Sequence, residues 1–170
     1  CIAIIADIMP MTSLNFTMVR YGLEKIKTSK RPALIELNDI MRKEKFISDD
    51  IGFFIAPKIN SAGRMEDASI ALNFLLSSNK SDAQDGLYAL NDLNDYRKTQ
   101  QEQMSQKAMA EVNDNDKAIV VWGEDWHEGV IGIVASKLSN HYKKPAFIFS
   151  VHEGIAKGSA RANGDINLHT

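Results

Sequence analysis

The stretch from Ser81 to Val112 constrains the architecture more than any other part of the chain. Ala83, Leu87 and Leu90 mark one apolar face at helical spacing, and Met104, Ala108 and Val112 mark another. Between them the run "NDYRKTQQEQ" is polar on nearly every side. A helix that is polar all round has no core to bury and usually bridges two domains through solvent. At 1.5 Å per residue such a helix reaches about 45 Å. The sequence therefore predicts residues 1–79 as one unit, residues 80–114 as a connecting helix, and residues 115–170 as a second unit.

Ahead of that helix, "CIAIIAD" reads as a buried strand, because a short continuous apolar run suits a sheet covered on both faces. Thr12 or Ser13 caps a predicted helix that carries Phe16, Val19, Leu23 and Ile26 on one face. Pro32 stands where a first-turn proline belongs, before Leu34, Leu37 and Met41. Ser48 is expected to cap a short apolar helix, "DIGFFIA", that Pro57 terminates. "KINSAGR" reads as a loop, and Asp67 as the cap of a helix carrying Ala68, Ala71, Leu72 and Leu75.

Past residue 114 the pattern becomes strand, helix, strand. "KAIVVW" and "PAFIFS" are the strands, and "VIGIVASKLSNHY" is the helix, with Val130, Ile131, Val134, Ala135 and Leu138 facing inward. Such a βαβ unit implies parallel pairing. "AKGSAR" begins a further strand. The fold class is thus α/β: a mostly helical first part, the bridging helix, then a βαβ-containing second part.

Composition narrows the function classes. The chain has 170 residues, 44% of them hydrophobic and 25% charged, as in an ordinary globular protein. No apolar run approaches the ~20 residues of a membrane-spanning helix, so no membrane partner is expected. One cysteine, Cys1, leaves no internal disulfide or cysteine metal cage and fits a reducing cytoplasm. Both ends interrupt structural patterns, so the chain is expected to be part of a longer protein. The net charge of −2 gives no global field for a polyanion, so any such binding rests on local groups.

Local groups of that kind exist. Strand ends followed by helix starts are where open α/β sheets bind ligands. His127, Gly129 and Gly132 occupy that place in "HEGVIGIVASKL", where helix N–H groups favour phosphate. A glycine-lined turn with a surface histidine accounts for the same residues. In "AKGSAR", alternation puts Lys157, Ser159 and Arg161 on one strand face, with Gly158 allowing close backbone approach. An exposed edge strand is the plainer alternative. "KINSAGR" offers Lys58, Asn60, Ser61 and Arg64 for phosphate contacts, or simply a connector. Asp7 ends an apolar run and could hold a divalent cation, although one aspartate there is as readily a turn residue.

Taken together, "ADIMPM", "GFFIAPKINSAGR", "GEDWHEGVIGIVASKL" and "AKGSAR", in this order and at these separations, resemble the bacterial single-strand-specific exonucleases of the DHH phosphoesterase superfamily. The resemblance covers nearly the whole chain. It implies a hydrolase with two divalent metals, Mn²⁺ or Mg²⁺, that removes nucleotides from the 5′ end of single-stranded DNA in repair and recombination. It further implies that residues 1–79 are the C-terminal part of a DHH catalytic domain, joined by the helix to a DHH-associated substrate-binding domain. On this resemblance Asp7 is a metal ligand, and Asn60, Arg64, His127, Gly129, Gly158, Ser159 and Arg161 bind substrate. The Asp-His-His triplet that supplies further metal ligands in the family is absent, so the chain alone is expected to bind DNA without cutting it. Two other readings stand beside this one. The chain could belong to a DHH phosphatase or nanoRNase acting on short nucleotides, or it could be a non-catalytic nucleic-acid-binding module.

Overall fold

The computed structural model describes residues 1–113, 115–164, 166 and 168. The chain divides into two units, Cys1–Asn94 and Asp95–Thr170. The division falls inside one continuous helix rather than at either of its ends.

The first unit is helical throughout its regular elements. Helix α1 (Ile2–Ala6) occupies the run expected to be a strand. A strand needs a neighbour to satisfy its backbone, and no strand is present among the described residues of this unit. The helical form closes its own bonds instead, from Ile5 N to Cys1 O at 3.1 Å and from Asp7 N to Ala3 O at 3.0 Å. Helix α2 (Ser13–Thr28) starts where Thr12 Oγ1 accepts from Asn15 N at 3.2 Å, as the cap rule predicts. Val19 and Ile26 are buried on its inner face, but Phe16 stays 57% exposed, against expectation. Helix α3 (Pro32–Met41) carries its proline in the first turn and buries Leu37.

Three further expectations are overturned. "DIGFFI" forms one turn of π-helix (Asp50–Ile55), and helix α4 (Ala56–Met65) follows without a break. "KINSAGR" therefore lies in a helix, not a loop. Pro57 opens α4 rather than ending its predecessor, because a proline in a first turn has no N–H to leave unbonded. The preceding turn is held by Asp50, not Ser48: its carboxylate accepts from Ile47 N at 3.0 Å and pairs with Lys43. Burial pushes the Asp50 carboxyl up, but the hydrogen bonds from Lys43 and Ile47 and the Lys43 charge outweigh it and hold its pKa below the ordinary value. Helix α5 (Ser69–Leu76) begins where Asp67 Oδ1 accepts from Ser69 N at 2.7 Å, and it buries Ala71 and Phe74 while Leu72 faces out. Ile26, Leu37, Phe46, Ile51, Ile55, Phe74 and Leu90 form the core of this unit.

Helix α6 (Lys80–Ala110) runs for 31 residues. Ala83, Leu87 and Leu90 are buried in the first unit, and Met104 and Ala108 in the second, while most of the residues between are exposed. No helix among the described residues is long and apolar enough to cross a membrane.

In the second unit, strand β1 (Ile119–Glu124) leads through helix α7 (Glu128–Tyr142) to strand β2 (Ala146–His152), and β1 and β2 pair in parallel, Ile119 opposite Ala146. Strand β3 (Ile155–Arg161) returns antiparallel to β2, giving the order β1-β2-β3. The hairpin turns on Glu153 and Gly154, both at positive φ (49° and 78°), the backbone that a right-twisted two-residue turn requires. Helix α7 buries Val130, Ile131, Val134, Ala135 and Leu138, the inward face read from the sequence.

Candidate nucleic-acid interface

His127 is the N-cap of α7, and its Nδ1 accepts from Gly129 N at 3.2 Å. An imidazole nitrogen that accepts cannot carry a proton, so in the neutral ring the proton sits on Nε2. The residue thereby presents an N–H donor on the side away from its helix. The same bond uses the Gly129 N–H internally, and Val130 N bonds His127 O at 2.9 Å. An incoming anion thus meets mainly side-chain donors at this helix start.

Those donors come from β3. Pleating puts Lys157, Ser159 and Arg161 on the face toward α7, as alternation predicts. A Cβ added at Gly132 would lie 3.1 Å from Ser159 Oγ and 3.5 Å from Arg161 Nη2. The absence of a side chain at position 132 is what lets the helix approach this strand face. Arg161 Nη1 donates to Ser159 Oγ at 3.2 Å and to Ala160 O at 2.7 Å, and the residue is exposed. The guanidinium is therefore held along the strand, with its charge at the surface. Lys157 Nζ bonds the Glu128 carboxylate at 3.0 Å, an ion pair in the open. Such a pair holds the lysine weakly.

Gly158 faces the other way. A Cβ there would lie 2.5 Å from the ring of Phe149, its partner on β2, so this glycine has a packing reason for being small. Gly123 is similar: the Trp126 indole packs against it, with the nearest ring atom 2.1 Å from an added Cβ. Sequence reasoning missed Tyr96, whose ring meets His127 edge-on, centroids 6.5 Å apart. It also missed the Glu128–Lys157 pair. Neither is written in local spacing, since each joins residues about thirty positions apart.

The remaining candidates lie in the first unit. Asp7 follows α1 and is exposed, and it lines a cleft of about 600 Å³ with Asn60, Lys25 and Ser29. Arg64 stands one turn beyond Asn60 on α4, also exposed. Lys58 is engaged elsewhere, donating to Asn91 Oδ1 at 2.6 Å and lying 4.6 Å above the Phe54 ring. Among the described residues no three His, Cys, Asp or Glu side chains are grouped to hold a metal ion. Asp7 alone does not make a site for two divalent metals, and no hydrolytic step can be built on it.

Residues 115–170 match the DHHA1 domain. With the strand–helix–strand unit just described, that match defines the class: a DHHA1-containing protein of the DHH family. The chain is 34% identical over 169 residues to the single-stranded-DNA-specific exonuclease RecJ of Haemophilus influenzae, covering 93% of this chain and 29% of the relative. It is 34% identical over 174 residues to the RecJ of Bacillus subtilis, covering 98% and 22%. A crystal structure of RecJ in complex with Mg²⁺ from Thermus thermophilus superposes with a TM-score of 0.89 at 32% identity, over 98% of this chain and 26% of that one. A second structure, of exonuclease RecJ bound to manganese, gives 0.86 at 32% identity, over 98% and 42%. The chain belongs to the RecJ family, and it spans less than a third of the length of these curated relatives.

Proposed function

We propose that this chain is the part of a 5′-to-3′ single-strand-specific exonuclease that grips the sugar-phosphate backbone of its DNA substrate. The observation that carries this reading is the close approach of α7 to β3 at Gly132, which sets Ser159 and Arg161 against the helix that His127 caps. Each can donate a hydrogen bond outward, and Arg161 adds a permanent charge with a planar fork suited to phosphate. Contacts of this type hold a backbone without reading its bases. Asn60 and Arg64 add phosphate contacts in the first unit; in the second, Gly129 belongs to the capped start of α7, and Gly158 lets β3 pass close over Phe149 between Lys157 and Ser159.

In the whole protein Asp7 would be one ligand of a site for two divalent ions, Mn²⁺ or Mg²⁺, which would supply the activated water for hydrolysis. Residues 1–79 are then the back of the DHH domain, residues 80–114 the connector and residues 115–170 the start of the associated domain. The work of such an enzyme is DNA repair and recombination in the cytoplasm.

Competition binding tests the reading. Labelled single-stranded DNA bound to the full-length protein should be displaced by an unlabelled strand of the same length, and far less by duplex or by a dinucleotide. Displacement by the dinucleotide at equal concentration would favour a short-nucleotide phosphatase or nanoRNase instead.

A further inference from the structure

Four residues of α6 recur at helical spacing, Tyr96, Gln100, Gln103 and Lys107, and so share one face of the helix. That face lies against the loop between β1 and α7. Gln100, Gln103 and Lys107 line a small cleft of about 120 Å³ together with Glu124, Asp125 and Trp126. Tyr96, one turn before Gln100, touches His127 at the end of the same loop and is 50% exposed. The polar middle of α6 is therefore more than a solvated bridge.

The lining is wrong for phosphate. Glu124 and Asp125 put two carboxylates beside the single ammonium of Lys107, and Asp125 is already engaged by His152 Nδ1 at 2.7 Å. It is right for an uncharged planar group with polar edges. The rest of the lining is mostly polar, and each glutamine amide offers a donor and an acceptor. Elsewhere on the helix amides are spoken for, Gln101 by Arg97 at 2.7 Å and Gln106 by Glu102 at 3.1 Å. Neither Gln100 nor Gln103 has a hydrogen-bond partner among the described residues. At about 120 Å³ the cleft is too small for a whole nucleotide with its phosphate.

We propose that this face of α6 takes unpaired bases of the strand whose backbone lies at His127 and Arg161. One base stacks on Tyr96, and its neighbour sets its polar edge on Gln100 and Gln103 at the cleft. Stacking on an aromatic ring tolerates any base, because every base has a π-face. The inference rests on the backbone-gripping function proposed above, and the test separates the two.

In the full-length protein, affinity is compared for a single strand and for a strand of equal length whose nucleotides lack bases. Tyr96→Ala should weaken binding of the ordinary strand by about tenfold, within the span measured for base–aromatic stacking. It should leave the base-less strand unchanged, and Tyr96→Phe should restore binding. Gln100→Ala with Gln103→Ala should change the relative affinity for strands of different base composition. Arg161→Ala, by contrast, should weaken both strands alike. Equal loss of both strands in folded Tyr96→Ala would mean that the ring only props His127, and would overturn the inference while leaving the backbone site standing. No loss on either strand would overturn it too. A wild-type protein that binds neither strand would overturn the functional reading and this inference with it.

Discussion

A single methyl group at position 132 would come between α7 and the side chains of Ser159 and Arg161. Alanine is about 1 kcal/mol better than glycine inside a helix. The two neighbours it would meet are side-chain ends that can give way. Gly132→Ala should therefore keep stability within about 1 kcal/mol of the natural protein in chemical denaturation. It should nevertheless weaken single-strand binding, because Ser159 and Arg161 must move; unchanged binding in this variant would remove Gly132 from the site. Asp50 makes the opposite case, a residue that matters for folding alone. Its folded pKa is held below the ordinary 3.8, so the stability it contributes is present above that value and is lost as pH falls through the lower one. Asp50→Asn should cost about 1.5–3 kcal/mol at neutral pH, as expected for a hydrogen bond to a charged group. It should also flatten the loss of stability in acid, which urea melts at a series of pH values would show. At this scale the sequence makes His127 visible by its place between a strand and a helix start, and Ser159 and Arg161 visible because strand alternation is a local rule. Tyr96 stays hidden, since its importance comes from a neighbour 31 positions away.

Among the elements, those with a strong local signal form as read. Thr12 caps α2, Pro32 opens α3, and the strand–helix–strand unit closes around the apolar face of α7. The misread elements are those whose local signal fits two structures. A short apolar run suits a buried strand or a buried helix, and the five residues "IAIIA", with no strand among the described residues of this unit to pair with, are helical. A Ser-Ala-Gly sequence suits a loop, yet α4 carries it because Ser61 and Ala62 are fully buried on the inner face of that helix. In α6, polar side chains on nearly every side read as solvent exposure, but one stripe of them lines the loop of the second unit. This sets an expected protease pattern. Trypsin should nick α6 first at Arg97 or Lys98, where most neighbouring residues are exposed, and only later at Lys107, where buried Met104 and Ala108 pin the adjacent turns. Mass spectrometry of a short digestion should find pieces ending near residue 97. Early cleavage at Lys107 instead would mean that the C-terminal half of the helix is loosely held.

For the molecule as a whole, binding and cutting should separate. One candidate metal ligand, Asp7, is set against a chemistry in which two ions clamp the attacking and leaving oxygens. The 170-residue chain alone should release no nucleotides from 5′-phosphorylated single-stranded DNA with either Mg²⁺ or Mn²⁺. Metal-dependent release that survives Asp7→Ala in a pure preparation would contradict that division of labour. The central claim is that the surface shared by α7 and β3 holds the DNA backbone. The salt dependence of single-strand binding tests it most directly, comparing the natural full-length protein with Arg161→Ala after circular dichroism shows the variant folded. Losing one phosphate contact to a single strand should lower the slope of log K against log salt by roughly 0.7. Affinity should fall by about 1.5–3 kcal/mol, equally for strands of different sequence. An unchanged affinity and slope in the folded variant would place Arg161 outside the groove and contradict the account.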